Sequence, residues 1–371
     1  MDHTSLDIGS LSASAQKALG PGPGRMMASR GMLPLTPADQ LAVLYQLAID
    51  ADSTLAQTAR ATAAGLPDKV LAGALGDAAT DPRVLDLFAQ LCGDKPGAFE
   101  ALVGNAAIAD SSIAALAARA TAKEIERISA NEQRLLRHPE IIAAMYMNKQ
   151  ARMSTVDRAV ELAVRNNVRV PGLAAWDEVA RALQGAPATT PEVDAQFAAA
   201  AAAASGDDSV LTKGDAEQAL PEDASDADIE DAAKMPYETL SLPAKIRLAT
   251  LGNAFARSRA IRDPHKIVSL AAIKSPGVTE IEAARYAGNA TLNEDVIRYI
   301  AQRREWTKLY GVKVSLCRNP KTSIPEAARL LPFLRQNDLQ NLARSKGVAS
   351  ALVAQARKLM MTRGGGGGAK K

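Results

Sequence analysis

The chain has few of the residues from which disulfide frameworks, metal centres and acid–base sites are built. Its 371 residues include two cysteines, Cys92 and Cys317, and three histidines, His3, His138 and His265. Two cysteines so far apart cannot by themselves form a disulfide framework or a metal site. The histidines are isolated in the sequence and leave little for a zinc site or a general base. We therefore predict no metal, no cofactor and no catalytic residue.

Aromatic residues are also scarce, at 4% of the chain, although 47% of the residues are apolar. Alanine supplies much of the apolar fraction, and alanine is the best helix former but a poor filler of large cores. β-Sandwiches and barrels depend on β-branched and aromatic residues, so this composition argues against them. It predicts an all-α protein made of many short, closely packed helices.

Long hydrophobic runs and known enzyme motifs are missing as well. No stretch approaches the run of about 18 consecutive apolar residues that marks a membrane-spanning helix. The beginning of the sequence does not resemble a signal peptide. The sequence has no phosphate loop, dinucleotide fingerprint, zinc-protease motif or nucleophile elbow. We therefore expect a cytoplasmic protein that does not insert into a membrane and is not an enzyme.

The chain has an uneven charge distribution, although its net charge is only +3. Residues 241–371 contain 24 basic and 8 acidic residues, a net charge of +16, whereas residues 205–238 contain 2 basic and 11 acidic residues, a net charge of −9. A basic region of this size favours an acidic partner, either a protein surface or a nucleic acid. The acidic stretch could also fold back onto the basic region that follows it.

Breaks in composition predict five regions along the chain. Residues 1–35 are rich in Gly, Pro and Ser and read as a disordered tail. Helical spacing begins after Thr36-Pro37, a capping pair, and continues to 185 as an N-terminal helical-repeat lobe. Residues 186–236 read as a flexible acidic and alanine-rich linker, 237–361 as a basic C-terminal helical-repeat lobe, and 362–371 as a flexible Gly/Lys tail.

The C-terminal lobe contains an internal repeat with an offset of 44 residues. Aligned in this way, 268–285 and 312–329 share identical residues that include a proline and the run Glu-Ala-Ala-Arg. Each copy also carries a capping box, Thr279 with Glu282 and Ser323 with Glu326. A period of 44 residues built from paired helices lies in the range of HEAT and armadillo repeats. We therefore predict a HEAT-like α-solenoid in two lobes, joined by a disordered acidic linker.

Weaker signs of repetition lie in the first half of the chain. Asn105 and Asn148 are separated by nearly the same offset, each at a predicted turn. Ser154 followed by Asp157 resembles another helix cap.

The segment 306–318 predicts one helix that is apolar over most of its circumference and therefore packed on several sides. Trp306 and Tyr310 fall on its core face. Lys313 falls within the apolar arc and is expected to extend its amine to the edge of the packing.

Several short stretches resemble a group of helical-repeat proteins from myxobacteria and related deltaproteobacteria. In the C-terminal lobe these stretches are 242–253, 262–264, 304–307 and 319–322, and in the N-terminal lobe 135–139 and 152–157. More broadly, the chain is similar to HEAT-type and leucine-rich-repeat-variant α-solenoids. The resemblance covers both lobes, omits the linker and tails, and implies a bacterial helical-repeat fold without implying a catalytic residue.

The basic C-terminal lobe is the predicted binding region, and several of its Lys and Arg residues lie within one repeat. The candidate binding residues are Arg298, Arg303, Arg304, Lys308, Arg318 and Lys321. The leading hypothesis is a non-enzymatic scaffold or adaptor that holds an acidic protein surface, because solenoids present long surfaces to partners. The alternative is non-specific RNA or DNA binding, with the linker 205–238 as an autoinhibitory polyanion.

Overall fold

The computed structural model describes residues 4–184, 190–204, 208–212, 216, 237–345 and 347–364. About 69% of the chain is helical, and the described residues contain no strand. The prediction of an all-α protein is therefore confirmed, and the fold is consistent with an α-solenoid. The chain divides into two compact units, unit 1 (Met1–Gly172) and unit 2 (Leu173–Lys371).

Unit 1 consists of short helices that follow one another with brief turns. After a 3-10 turn at Ile8–Ser10, the helices are α1 (Ala13–Leu19), α2 (Gly24–Ser29), α3 (Pro37–Ala48), α4 (Ser53–Gly65), α5 (Asp68–Leu75), α6 (Pro82–Cys92), α7 (Pro96–Gly104), α8 (Asp110–Ala117), α9 (Ala122–Ser129), α10 (Glu132–Arg137), α11 (Glu140–Met147) and α12 (Met153–Arg165).

Unit 2 is built in the same manner. Its helices are α13 (Trp176–Leu183), α14 (Pro191–Ala203), α15 (Ser209–Thr212), α16 (Leu242–Leu251), α17 (Ala254–Ala260), α18 (Lys266–Lys274), α19 (Glu280–Gly288), α20 (Glu294–Gln302), α21 (Arg304–Lys308), α22 (Tyr310–Arg318), α23 (Ile324–Leu330), α24 (Gln336–Arg344) and α25 (Ser350–Gly364), with a 3-10 turn at Leu331–Phe333. Among the described residues, none of the helices combines the length and the apolar character that a bilayer crossing requires.

Side-chain caps set the starts of many helices, as the sequence predicts for some of them. The Thr36 hydroxyl accepts a hydrogen bond from the Asp39 N–H at the start of α3, and Thr279 forms a complete capping box with Glu282 at the start of α19. The Ser154 prediction is wrong, because α12 already begins at Met153.

The helices pack on neighbours that are close in sequence, either the next helix or one slightly further along. In unit 1, α5 packs on α7, α6 on α8 and α8 on α11. In unit 2, α16 packs on α18, α18 on α20 and α19 on α22. Each helix is too short to be stable alone, so its apolar face is buried by these successive neighbours.

At the end of each of three helices, an asparagine side chain donates hydrogen bonds to the end of an earlier helix. We call this contact an asparagine clasp. The Asn148 Nδ2 donates to the carbonyls of Ala117 and Ala120, both at 2.8 Å. Asn105 and Asn319 each make a similar pair of bonds to the end of an earlier helix and the turn after it. Because the last carbonyls of a helix lack helical partners, the clasp satisfies groups that would otherwise be buried unpaired.

The 44-residue offset seen in the sequence recurs in the helix packing of unit 2. It superimposes α18 on α22 and brings α20 close to α24. In agreement with this, α18 packs on α16 and α20, and α22 packs on α19 and α24. The offset also aligns Ser275 with Asn319, and the Ser275 hydroxyl likewise donates to an earlier carbonyl, that of Thr250. The packing is consistent with an α-solenoid, and the HEAT-like assignment stays a prediction.

The predicted disordered tail at 1–35 is wrong for its described part, which begins at residue 4. The helices α1 and α2 pack on α3 and α4, with Leu6, Ala15 and Ala28 buried. The Tyr45 hydroxyl also donates to the Thr4 carbonyl. Small alanine side chains allow close packing, which compensates for the weak helix propensity of the glycines nearby.

The predicted boundaries between 172 and 237 also differ from the structure. The first unit ends at Gly172 rather than 185, and α13 belongs to unit 2, where Glu178 pairs with Lys274 at 2.9 Å. Most of the described residues of the predicted linker lie in α14 and α15. The rest of 186–236 lies outside the described residues, as do 365–371 of the predicted tail, whereas residues up to 364 continue α25.

The predicted single helix at 306–318 is divided. Leu309 has an extended backbone, with φ −68° and ψ 133°, and separates α21 from α22. The helices on both sides of the break, α21 and α22, pack on α19. Trp306 is buried as predicted, and Lys313 extends its amine to the Lys308 carbonyl at the surface.

Candidate functional site

Two of the six predicted binding residues are engaged in ion pairs within unit 2. Arg298 pairs with Glu294 at 2.6 Å and with Asp295 at 2.9 Å along α20. Arg318, at the end of α22, pairs with Asp338 at 3.3 Å. These pairs are partly exposed and contribute little to stability, but they neutralise the charges that a polyanion would require.

Two more of the six predicted residues contact other groups of unit 2. The Lys321 amine donates to the carbonyls of Thr291 and Leu292, at 3.2 and 2.6 Å. Arg303 lies over the rings of Tyr299 and Trp306, 5.2 and 5.6 Å from their centroids. Because Trp306 is buried beneath it, the pair does not offer an open surface for stacking nucleic-acid bases.

Of the six, only Arg304 and Lys308 have exposed side chains without a partner among the described residues. The predicted basic patch therefore presents much less unpaired positive charge than its six residues formally carry. The sequence count could not reveal this, because it does not show which charges are paired.

A different segment lies on unit 2: part of the predicted flexible linker, whose sequence also allows it to fold back onto the basic region. We call residues 190–216 the docked segment and refer only to its described parts, 190–204, 208–212 and 216. Its helix α14 packs on α16, and α15 packs on α17 and α19. The docked segment therefore crosses several successive helices of unit 2.

The first anchor of the docked segment is Phe197 on α14. It is 6% exposed, and its ring lies 5.0 Å from the guanidinium carbon of Arg247 on α16. Arg247 is completely buried and is the largest fully buried side chain of the described residues. An arginine over an aromatic face gains a cation–π attraction of about 0.5–2 kcal/mol, the larger value applying when the pair is desolvated.

The second anchor combines a carboxylate and an apolar side chain. Asp208 accepts a hydrogen bond from the Ala254 backbone N–H at 3.0 Å, at the first residue of α17. Close behind it in the chain, Leu211 is 4% exposed. A charge-assisted bond of this kind is stronger than a neutral one, and the leucine adds apolar burial beside it.

The third anchor is a backbone contact. The Ala216 carbonyl accepts a hydrogen bond from the Gly311 N–H at 3.0 Å. Gly311 lies in the first turn of α22, where an N–H has no helical acceptor. The contact therefore satisfies a donor of unit 2 with an acceptor from the docked segment.

Tyr237 anchors the chain shortly before α16. Its hydroxyl donates to Asp263 at 2.7 Å, and its ring lies 4.8 Å from both the Lys245 amine and the Arg259 guanidinium carbon. Burial and the bond to Asp263 raise the pKa of the Tyr237 hydroxyl well above its ordinary value. The tyrosine is therefore neutral and acts as a donor.

Asp263 is a buried carboxylate with a full set of donors. Burial alone would raise its pKa, but hydrogen bonds from Tyr237 and from the backbone and ring of His265, with the nearby Lys245 charge, lower it. The His265 Nδ1 lies 3.0 Å from the carboxylate, and the histidine side chain is 61% exposed.

The metal and thiol chemistry available in the described part of the chain is limited. Those residues contain no group of three His, Cys, Asp or Glu side chains that could hold a metal ion. Burial raises the pKa of Cys92 to about 11 and that of Cys317 to about 12. Both thiols are therefore protonated and unreactive near neutral pH.

Unit 1 carries a groove between α9, α10 and α12, with a volume of about 330 Å³. Glu126, Glu132 and Arg158 lie at its rim, and Leu135 and Ala159 form part of its floor. Glu126 is already in an ion pair of 2.6 Å with an arginine of the same unit. The groove contains none of the predicted binding residues.

No protein-family model, no curated protein and no solved structure matches the chain. Its function must therefore be inferred from its own residues.

The residues that make the contacts between the docked segment and the rest of unit 2 were absent from the predicted site. Arg247, Asp208 and Gly311 carry no local signature of binding. One signal was available, because Phe197 is the only aromatic residue in 186–236. A lone aromatic in an acidic, alanine-rich stretch indicates an anchor rather than a freely solvated chain.

Proposed function

We propose that this chain is a non-enzymatic scaffold in which unit 2 binds an acidic segment of another protein. The observation that carries the proposal is the docked segment itself. Acidic chain from the same molecule is held on unit 2 by Phe197, Asp208 and Ala216. A surface that accommodates this chemistry in one chain has the groups needed to accommodate it in another.

The physical basis is the stacking of short helices. Successive helix starts supply backbone N–H donors at intervals along the surface, as Ala254 and Gly311 do here. An incoming chain supplies carboxylate and carbonyl acceptors, and one buried aromatic side chain adds most of the apolar contact. We propose, on this basis, that units 1 and 2 are two α-solenoid lobes of a binding protein.

Nucleic-acid binding receives less support from the described residues. Four of the six predicted basic residues are paired or bonded within unit 2, and Trp306 is buried. A phosphate backbone is held chiefly by free Lys and Arg side chains, each of which releases counterions on binding. Arg304 and Lys308 alone would give a weak and strongly salt-dependent contact.

The test uses the full chain and three fluorescent probes in anisotropy titrations. The probes are a peptide with the sequence of 190–216, the same peptide with every Asp and Glu replaced by Asn and Gln, and a short single-stranded RNA. We expect the acidic peptide to bind and the neutral peptide to bind at least about tenfold more weakly, since charge-assisted bonds are lost.

Hydrogen exchange then locates the contact. Faster exchange of the α14 amides when the acidic peptide is added, with the Ala254 and Gly311 amides still protected, would support the proposal. Binding of RNA with a steep loss of affinity in salt, and no binding of peptide, would replace it with the nucleic-acid alternative.

A further inference from the structure

We infer that the docked segment occupies the partner site of unit 2, and that the partner presents the same pattern: an aromatic side chain followed, about one short helix later, by an aspartate or glutamate. This inference rests on the proposed function. It adds the recognition pattern and the consequence that the free protein excludes its own partner.

The Arg247 site is the first part of the argument. A guanidinium that is completely removed from water requires compensation, and a purely structural cover would be better made from aliphatic side chains over an aliphatic residue. Here the cover is Phe197, from a helix that exposes most of its other side chains. A cation beneath a removable aromatic ring is the chemistry of a recognition pocket.

The order of the anchors is the second part. Phe197, Asp208 and Ala216 follow one another along the docked segment. They contact α16, α17 and α22 in that order. The docked segment therefore follows the order of the helices, as a partner chain laid along the same surface would.

Charge is the third part. Residues 205–238 carry 11 acidic residues against 2 basic ones, and of the described ones Asp208 bonds to the Ala254 N–H and Glu238 pairs with Arg259. A tether that needed only to be folded would not require such an excess of negative charge. An acidic segment that stands in for an acidic partner would require it, because both are then attracted to the basic residues of 241–371.

Competition follows from the covalent connection. A segment tethered beside its own site has an effective concentration on the order of millimolar. A partner in solution must exceed that concentration or bind more tightly, so loosening the anchors should increase its apparent affinity.

The experiment compares the full chain with the full-chain double variant Phe197→Ala, Asp208→Asn. The control is Gln196→Ala, an exposed residue on the same turn of α14. The probe is the fluorescent 190–216 peptide, with a second peptide that carries the same two substitutions as a negative control. We expect the double variant to bind the probe at least about tenfold more tightly than the wild type, and Gln196→Ala to match the wild type.

Equal binding of the probe by the wild type and the double variant would overturn this inference and leave the proposed function standing. No binding to either protein, at peptide concentrations up to the millimolar range, would overturn both. Binding of a short single-stranded RNA by the double variant, without peptide binding, would assign the uncovered surface to nucleic acid and would also overturn the inference.

A second measurement does not depend on the folding of the variant. Hydrogen exchange on the wild type should show the Ala254 and Gly311 amides protected without any added ligand, because the docked segment accepts from both. Added acidic peptide should leave that protection unchanged while the rest of the docked segment begins to exchange faster. Rapid exchange of both amides in the free protein would contradict occupancy by the docked segment.

Discussion

The two units bury different kinds of polar groups, although both are stacks of short helices. In unit 1 the asparagine clasps are neutral, and the ion pair between Arg127 and Glu100 is about half exposed. Its buried charged residues are Arg134 and Asp157. Unit 2 buries more of them: Glu178, Arg247, Arg257, Asp263 and Glu282. Most of these charges are paired within unit 2, as Glu178 is with Lys274 and Arg257 with Glu282, whereas Arg247 lies beneath Phe197 of the docked segment. Unit 2 therefore depends more than unit 1 on specific partners for its buried charges.

The largest expected effect comes from the buried pair of unit 2. Arg257 donates two bonds of 2.9 Å to Glu282. Replacing Glu282 by Ala leaves a buried guanidinium without its carboxylate and should lower the free energy of unfolding by about 3–5 kcal/mol. Both tryptophans, Trp176 and Trp306, belong to unit 2, so urea unfolding followed by tryptophan fluorescence reports on this unit.

The matched control is Glu100→Ala in unit 1, which removes an exposed partner of Arg127. It should cost less than about 1 kcal/mol, measured by circular dichroism. Similar losses from both variants would contradict the view that buried charge distinguishes the two units.

Removing an asparagine clasp should lower stability by an intermediate amount, and by a similar amount in each unit. Asn148→Ala and Asn319→Ala each leave two carbonyls without a donor and should cost about 1–3 kcal/mol. Each unit contains one buried cysteine, Cys92 in unit 1 and Cys317 in unit 2. Alkylation followed by mass spectrometry should therefore show faster labelling of the cysteine in the altered unit.

The exposed Asn166, whose amide bonds only within its own helix, provides the control for the clasp experiment. Its change to Ala should leave both labelling rates unaltered. Faster labelling of Cys92 in Asn319→Ala would mean that this clasp is not local to its unit.

A smaller loss of stability is expected when the pH is lowered. The folded-state pKa of Asp263 is lowered, so its contribution to stability is fully present above the unfolded value of about 3.9 and is lost as the pH falls through the folded value. Tryptophan-monitored stability of unit 2 should fall over this range. In Asp263→Asn this part of the pH dependence should be missing; an unchanged slope would show that other groups carry it.

The smallest effect is expected at the exposed cations. Arg304→Ala and Lys308→Ala should each change stability by no more than about 0.5 kcal/mol, since neither side chain has a partner among the described residues. A larger loss in urea unfolding would reveal a structural role and would remove the last two residues of the predicted patch.

The features that sequence predicted correctly are local ones. Thr36 and Thr279 are capping residues because the groups they bond lie within the next turn of backbone. The burial of Trp306 followed from helical spacing over a few turns. The break at Leu309 was missed, since nothing in the local pattern forbids a continuous helix there.

The features that sequence missed depend on distant neighbours. Residues 4–35 pack because α3 and α4 present a surface for α1 and α2. Phe197 is buried because Arg247, from a helix much further along the chain, lies beneath it. Counting charges identified residues 241–371 as basic but could not show that Arg298 and Arg318 were already paired.

The sequence by itself determined that this chain is helical, because alanine content, proline breaks and capping residues act within one or two turns of backbone. Only the tertiary structure decided which charges are free and which stretch of chain covers unit 2. Those outcomes depend on pairing between residues far apart in the sequence, and the energy of a charge is set by what surrounds it after folding.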